Sequence, residues 1–263
     1  MNVRIVTSRD NPLLVRLRKL VGDPGAYRKH GEVWIEGDHL VSAFLSRGGQ
    51  APQAVITEAG WEDERMRDLA RRADHVTVVP EALMAGLSTL ESPAPLAFAV
   101  PWRGVLPVQP GLPTLVLDRL QDAGNVGAVL RSASAFGFKQ VVAFKGSAAL
   151  WSPKVLRAGM GAHFALHLVE GANVSSLDAL GVPLVATSSH AAQAVHEVAL
   201  PWPCAWVMGH EGQGVSEALM ARCDLAVRIP QPGGEESLNV AAAAAVCLYE
   251  SARQRSQAAS RPE

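Results

Sequence analysis

The sequence predicts an α/β protein, because short apolar runs rich in Val, Ile and Leu alternate with helical stretches along most of its length. Two further observations shape that reading. Residues 101–113 hold four prolines and two glycines, the composition of a linker between two domains. In the second half, glycine-punctuated turns follow apolar runs, and ligands of α/β sheets bind at the carboxyl ends of strands. At 263 residues, with 48% hydrophobic and 19% charged side chains, the chain is long enough for two packed domains.

The elements of residues 1–100 are legible in order. Asn11 to Leu20 carries Leu13, Leu14, Leu17 and Leu20 at helical spacing, with Asp10 or Asn11 as cap and Pro12 in the first turn. Val33–Ile35 predicts a strand. Asp38 to Arg47 predicts a helix ended by Gly48 and Gly49. Strands follow at 54–56 and 76–79, with a charged helix from Glu62 to Arg72 between them, and a last strand at 96–100. After the linker the alternation resumes. Strands are expected at 115–117, 141–144, 164–169, 184–186, 205–208 and 225–229. Helices are expected at 125–136, 153–160, 216–221 and from Ser237 to about Arg253, with a frayed tail behind. Strands alternating with helices imply a parallel sheet covered on both faces. The last helix holds Ala241–Ala245 and is apolar on every side, so it is expected to be buried.

Several function classes are excluded by pattern. No apolar run approaches the roughly 18–20 residues that span a bilayer, and the first ten residues lack an apolar signal segment, so no membrane partner is expected. Cys204, Cys223 and Cys247 form no CxxC pair, which speaks against zinc and disulfides and fits a reducing cytoplasm. His163 and His167 stand four apart, but a zinc helix also needs an acid there, so no metal is expected. No GxSxG elbow, phosphate-loop lysine or ribose-binding acid follows the strands. Net charge is −1, yet residues 1–30 hold seven Arg and Lys against two acids, and the remainder holds 17 against 23. That basic end reads either as a phosphate-facing patch or as a solvated helix face.

Three constellations carry polar chemistry. In Asp122-Ala-Gly-Asn-Val-Gly127, glycines let a ligand or backbone approach a helix N-terminus, where N–H groups attract anions. Arg131 follows on that helix, with the small residues Gly127, Ala128, Ser134 and Ala135 three and four positions away. It is either an arginine presented to a phosphate or a surface charge beside close helix packing. Gly209-His-Glu-Gly-Gln-Gly214 holds Glu211 in a glycine loop after a strand, or is an ordinary strand-to-helix turn. Gly233-Gly-Glu-Glu-Ser-Leu-Asn239 sets Ser237 and Asn239 at the start of the alanine helix. Trp151 reads as a base-stacking residue or a half-buried loop tryptophan.

Taken together, these segments resemble the SpoU (TrmH-like) family of RNA ribose 2′-O-methyltransferases, within the SPOUT superfamily, over roughly residues 114–250. The family's first motif matches Asp122 to Arg131 with Ala135-Phe-Gly137. Its second matches Val207 to Ser216 with Cys223-Asp224 and Val227-Arg-Ile-Pro230, and its third matches Glu236-Ser-Leu-Asn-Val-Ala241. Thr7 to Leu13 and Val33 to Gly37 are similar to the L30e-like substrate-binding domain of rRNA-directed members. His210 stands where many members carry asparagine.

The resemblance implies an L30e-like RNA-binding domain at 1–100, a linker at 101–113, a methyltransferase domain with a deep trefoil knot at 114–256 and a tail at 257–263. It implies a cytoplasmic homodimer using S-adenosyl-L-methionine, held around Thr187, Gly209, Gly212, Ile229 and Leu238, to methylate a ribose 2′-hydroxyl in rRNA. Arg131, Asn125, Glu211, Ser237 and Asn239 would form the catalytic set. Arg9, Arg16, Arg18, Lys19, Arg28 and Lys29 would meet RNA phosphates. The alternatives are the same chemistry on tRNA, or a non-catalytic RNA-binding or ribosome-assembly protein on the same fold.

Overall fold

The computed structural model describes residues 2–233 and 237–259. The chain forms two compact units, Met1–Gly104 with Trp151–Phe164, and Val105–Leu150 with Ala165–Glu263.

The first unit opens with strand β1 (Asn2–Ile5) and helices α1 (Pro12–Gly22) and α2 (Ala26–His30). Strand β2 (Glu32–Glu36), helix α3 (Asp38–Ser46), strand β3 (Gln53–Thr57) and helices α4 (Glu58–Glu62) and α5 (Glu64–Ala70) follow. Strand β4 (His75–Val79), helix α6 (Glu81–Ala85) and strand β5 (Leu96–Pro101) complete its continuous part. The sheet order is β1-β4-β3-β5-β2. The first three strands run parallel, and β5 is antiparallel to both neighbours.

Local chemistry sets these boundaries. Asn11 caps α1 by accepting the Leu13 N–H at 3.0 Å, and Pro12 occupies the first helical position, where its missing N–H costs nothing. The leucines at 13, 14, 17 and 20 are buried, as their spacing predicts. The single charged helix expected from Glu62 to Arg72 is instead two helices broken at Asp63. That residue takes extended backbone angles and caps α5 by accepting the Met66 N–H at 2.9 Å. Asp is a stronger cap than a helix-interior residue.

The second unit contains β6 (Thr114–Leu117), α7 (Ala123–Ala135) and β7 (Gln140–Phe144). Helix α8 (Pro153–Gly159) belongs to the first unit. There it packs against β2, Arg157 donates to Thr89 at 2.7 Å, and Phe164 meets Phe44 edge-on at 5.2 Å. Trp151 stacks obliquely on His163 at 5.3 Å, which places it as a packing tryptophan. The second unit continues with β8 (His167–Ala172), β9 (Leu184–Thr187), β10 (Ala205–Met208), α9 (Glu217–Met220), β11 (Leu225–Val227) and α10 (Val240–Ala259).

Its sheet has the order β11-β9-β10-β6-β7-β8, with every pairing parallel. One face buries Val116, Val142, Val169, Ala186 and Val207 with Leu177, Leu180 and Leu219. The alternation of strand side chains turns Trp206 to the opposite face, where its indole N–H donates to Ser251 of α10 at 2.8 Å. Helix α7 contributes Val126, Val129, Leu130 and Ala133, all fully buried. Burying each of the three larger side chains stabilises by about 1.5–3 kcal/mol.

Helix α10 differs from expectation in three ways. It starts at Val240 rather than Ser237, because Asn239 is its cap and accepts the N–H groups of Ala241 and Ala242 at 2.8 and 3.3 Å. It runs through 256–259, where fraying was expected, while 260–263 lie outside the described residues. It is also not buried all round. Ala244, Cys247 and Leu248 face α7 and β10, whereas Ala242, Val246 (40%) and Tyr249 (55%) are exposed in the single chain. Among the described residues no helix is long and apolar enough to cross a membrane.

Candidate functional site

The sheet order reverses between β6 and β10. The chain steps from β6 to β7 and β8 on one side, then returns to build β9, β10 and β11 on the other. Such a switch point opens a crevice beyond the carboxyl ends of the strands. A cavity of about 450 Å³ lies there. Its walls come from the ends of three strands: Thr187 closing β9, the loop of Gly209, Glu211, Gly212 and Gly214 after β10, and Ile229 and Gln231 after β11. Ser237 to Val240 and Ala243, at the start of α10, complete it.

The glycine loop after β10 is shaped by close approach. A Cβ on Gly209 would lie 2.2 Å from the backbone of Gly214 and Val215, so no other residue fits. His210 and Gly214 exchange two backbone hydrogen bonds, at 2.9 and 2.8 Å, and Gly214 takes a left-handed φ of 68°. The His210 Nδ1 accepts the Gly212 N–H at 3.1 Å, the arrangement an asparagine would make with its side-chain oxygen in an Asx turn. Behind the loop, Asp118 at the end of β6 is 1% exposed and accepts the Ser216 N–H at 2.7 Å and Arg119 Nε at 2.9 Å. Burial raises its pKa, but the bonds from Arg119 and Ser216 outweigh burial and hold it below its ordinary value. Arg119 has a positive φ of 60°, uncommon for a residue with a Cβ.

Glu211 is the hub of the site. Its carboxylate accepts the backbone N–H groups of Gln121 and Asp122, at 3.3 and 3.2 Å, and the Asn125 amide at 3.3 Å. Partial burial raises its pKa. The backbone N–H groups of Glu211 and Asp122, with Asn125 and Gln121, together pull it below the usual value. The Asn125 carbonyl oxygen in turn accepts the Asn239 amide at 3.0 Å. Asp122 caps α7 by accepting the Asn125 N–H at 2.7 Å. A Cβ on Gly124 would fall 2.9 Å from that carboxylate. The three polar segments singled out in the sequence are therefore stitched together through Glu211, Asn125 and Asn239.

All five residues expected around a cofactor, Thr187, Gly209, Gly212, Ile229 and Leu238, line the cavity, as do Glu211, Ser237 and Asn239. Asn125 and Arg131 stand outside that lining. Arg131 is exposed on α7, and among the described residues no hydrogen bond or ion pair engages its guanidinium. Glu211 thus holds the loop before α7 and not Arg131. Gly234, Glu235 and Glu236, part of the third motif, lie outside the described residues. The sequence reading missed Ser188, Ser189 and Gln231 as lining residues, and Asp118 as a support; the buried acid at a strand's carboxyl end was the available signal for Asp118.

In the first unit the six basic residues are not equivalent. Arg16 pairs with Glu32 at 3.1 Å, Arg18 donates to the Arg9 carbonyl at 2.6 Å, and the Arg28 guanidinium lies 4.8 Å from the Tyr27 ring centre. Arg9, Lys19 and Lys29 are exposed.

The pocket has room for a partly polar ligand of cofactor size and is lined by the glycines 209, 212 and 214 and by the apolar Ile229, Leu238 and Val240. Comparison with known proteins identifies the family. Residues 113–249 match the model of the SpoU rRNA Methylase family. A Bordetella pertussis protein named 23S rRNA (guanosine-2'-O-)-methyltransferase RlmB is 35% identical over 85% of this chain and 89% of its own length. A crystal structure described as an RNA 2'-O ribose methyltransferase is 33% identical and superposes with a TM-score of 0.81, covering 96% of this chain and 99% of its own. The SpoU methyltransferase AviRb from Streptomyces viridochromogenes, solved with AdoMet, reaches 0.84 at 25% identity, covering 93% and 98%. The family match across both strand-end loops and α10, with relatives aligned over nearly their whole length, means that this chain belongs to the SpoU rRNA methylase family.

Proposed function

We propose that this chain methylates a ribose 2′-hydroxyl in rRNA with S-adenosyl-L-methionine as donor. The observation that carries the reading is the Glu211–Asn125–Asn239 chain of hydrogen bonds, which draws three glycine-bearing loops around one cavity at the sheet's switch point. The relatives named as 23S rRNA 2'-O-methyltransferases supply the substrate class, and the AdoMet-bound neighbour supplies the donor. Bound in the pocket, S-adenosylmethionine offers an electrophilic methyl on a positively charged sulfur.

The residues of the chain then have distinct tasks. Thr187, Gly209, Gly212, Ile229 and Leu238 hold the donor, and Ser237 orders the third loop. Asn125 and Asn239 fix the loops that receive the nucleotide, and Glu211 locks them. Arg131 grips the target phosphate and stabilises charge developing on the 2′-oxygen. A guanidinium stays protonated in proteins, so it serves as an electrostatic partner and not as the base.

The same reading extends to architecture. A trefoil knot is supported by the way α10 is held. Trp206 bonds Ser251 on one side, while Gln254 bonds Val198 and Leu200 of the loop between β9 and β10 on the other. A homodimer is supported by the exposed Ala242, Val246 and Tyr249, spaced along one α10 face that continues to Phe136 of α7 through a ring contact of 5.9 Å. The first unit, with its mixed five-stranded sheet and exposed Arg9, Lys19 and Lys29, acts as an L30e-like RNA-binding domain. The work takes place in the cytoplasm, the compartment that bacterial relatives named as 23S rRNA methyltransferases imply. The unpaired Cys204 and Cys247, whose thiols burial pushes up to about 12, suit that compartment.

Calorimetry with S-adenosylmethionine separates this reading from a non-catalytic RNA-binding scaffold. Saturable one-site binding is expected, weakened tenfold or more by Gly209→Ala, and absence of binding to the wild-type chain would favour the scaffold.

A further inference from the structure

Arg119 follows Asp118 in the turn after β6 and is set against the preference of its own backbone. Its φ is 60°, a left-handed conformation that glycine or asparagine takes at less cost than a long side chain. Residues kept in such conformations cluster at functional sites, where the surrounding structure holds them. Here the side chain is held twice. Nε donates to the buried Asp118 at 2.9 Å, and the aliphatic stem runs beside Gly146 in the loop after β7. A Cβ on Gly146 would fall 3.4 Å from the Arg119 Cγ and 4.0 Å from its Cδ. Asp118 is itself fixed by the Ser216 N–H at 2.7 Å. The outer edge of the guanidinium is left uncommitted. Neither Nη group bonds another described residue, both reach solvent, and 38% of the side chain is exposed.

Resting on the RNA-methylation reading above, we propose that Arg119 is an RNA-binding residue, whose two Nη groups grip a backbone phosphate of the strand that carries the target ribose. A guanidinium with Nε tied down and both Nη groups open is a preset fork for two oxygens of one phosphate. Fixing it before the RNA arrives lowers the ordering cost of binding. The placement favours RNA over the carboxylate of the methyl donor. The stem leans toward β7, whereas the donor cavity is lined from β9, β10, β11 and α10, and Arg119 is not part of that lining. The cations also extend along the β7 side. Lys145, next to Gly146, is exposed, as is Arg131 on the helix that this turn leads into. The acids beside them are engaged within the protein. Asp118 serves Arg119 and Ser216, Asp122 caps α7, and Glu211 serves Gln121, Asp122 and Asn125.

The test separates phosphate binding from a merely structural ion pair. Protein-free rRNA from cells lacking this protein is bound, over a salt series, to wild type, Arg119→Gln and the double variant Asp118→Asn/Arg119→Gln. Melting temperatures and calorimetry with S-adenosylhomocysteine accompany each. Arg119→Gln should bind rRNA about tenfold more weakly, the scale of a hydrogen bond to a charged group. Its log–log salt slope should flatten by about 0.7–0.9, the share of one phosphate, while S-adenosylhomocysteine binds as it does to wild type. An arginine needed only to balance the buried Asp118 carboxylate becomes dispensable once that carboxylate is an amide. The double variant should nevertheless keep both the weaker affinity and the flatter slope, and it carries the comparison if Arg119→Gln alone melts early. Wild-type affinity restored in the double variant, or a salt slope unchanged in both variants, overturns the assignment and leaves the RNA-methylation reading standing. Loss of S-adenosylhomocysteine binding in Arg119→Gln at an unchanged melting temperature overturns it too, by placing Arg119 at the donor. If wild type binds no rRNA, the RNA-methylation reading fails and the assignment falls with it.

Discussion

Glu211 shows how one side chain can hold three loops. Its carboxylate serves two backbone N–H groups and one amide at once, so removing its charge should loosen the entry to α7 as well as the cavity wall. Its folded pKa lies below the ordinary glutamate value. The stabilisation is therefore fully present above the ordinary carboxylate range and is lost as pH falls through the folded value. The melting-temperature gap between wild type and Glu211→Gln should be widest at neutral pH and close as pH falls below the ordinary glutamate range and through the folded value. A gap that stays constant from neutral to acid pH would show that the contacts, and not the charge, carry the effect. Asp118 has the same sign of shift and loses its hold on Ser216 in the same direction. Much of this was legible as residue type and place: the acid in a glycine loop, the asparagine at each helix start. That Asn125 and Asn239 bond each other was not legible, because their partnership spans 114 positions and depends on the strand order.

At the scale of elements, periodicity did well where a helix or strand rests on one core. The leucines of α1 and the apolar face of α7 are buried as spaced. It failed where caps decide, as at Asp63, and where the partner is remote in sequence. Nothing in the pattern of α8 says that it packs against β2, since its apolar residues would suit any hydrophobic surface. The alanine helix is the instructive case. Its sequence demands cover on all sides, and the single chain covers only part of it. Val246→Asp would place a charge in the centre of the proposed contact face, where desolvating it is costly. Light scattering or equilibrium sedimentation should then report a shift from dimer to monomer, whereas Asp at exposed Ala179, whose neighbours Leu177 and Leu180 pack on the opposite face of the sheet, should leave the oligomer unchanged. A wild-type chain that is monomeric at micromolar concentration would contradict the dimer.

For the whole molecule, the proposed function divides the labour between two units, one finding RNA and the other acting on it. The basic end of the chain is not uniformly available, since Arg16 and Arg18 are engaged within the unit. Reversing Arg9, Lys19 and Lys29 to Glu should therefore weaken RNA binding and flatten its dependence on salt by roughly one unit of log–log slope per lost phosphate contact, while calorimetry with S-adenosylmethionine stays unchanged. Loss of donor binding in that variant would place those residues in the wrong role. The central claim, ribose methylation of rRNA, is tested most directly by mapping 2′-O-methyl groups across rRNA from cells lacking this protein, complemented with wild type or with Arg131→Lys. The account predicts a ribose methyl that disappears in the deletion, returns with wild type and stays greatly reduced with Arg131→Lys. An rRNA methylation map identical in all strains would contradict it.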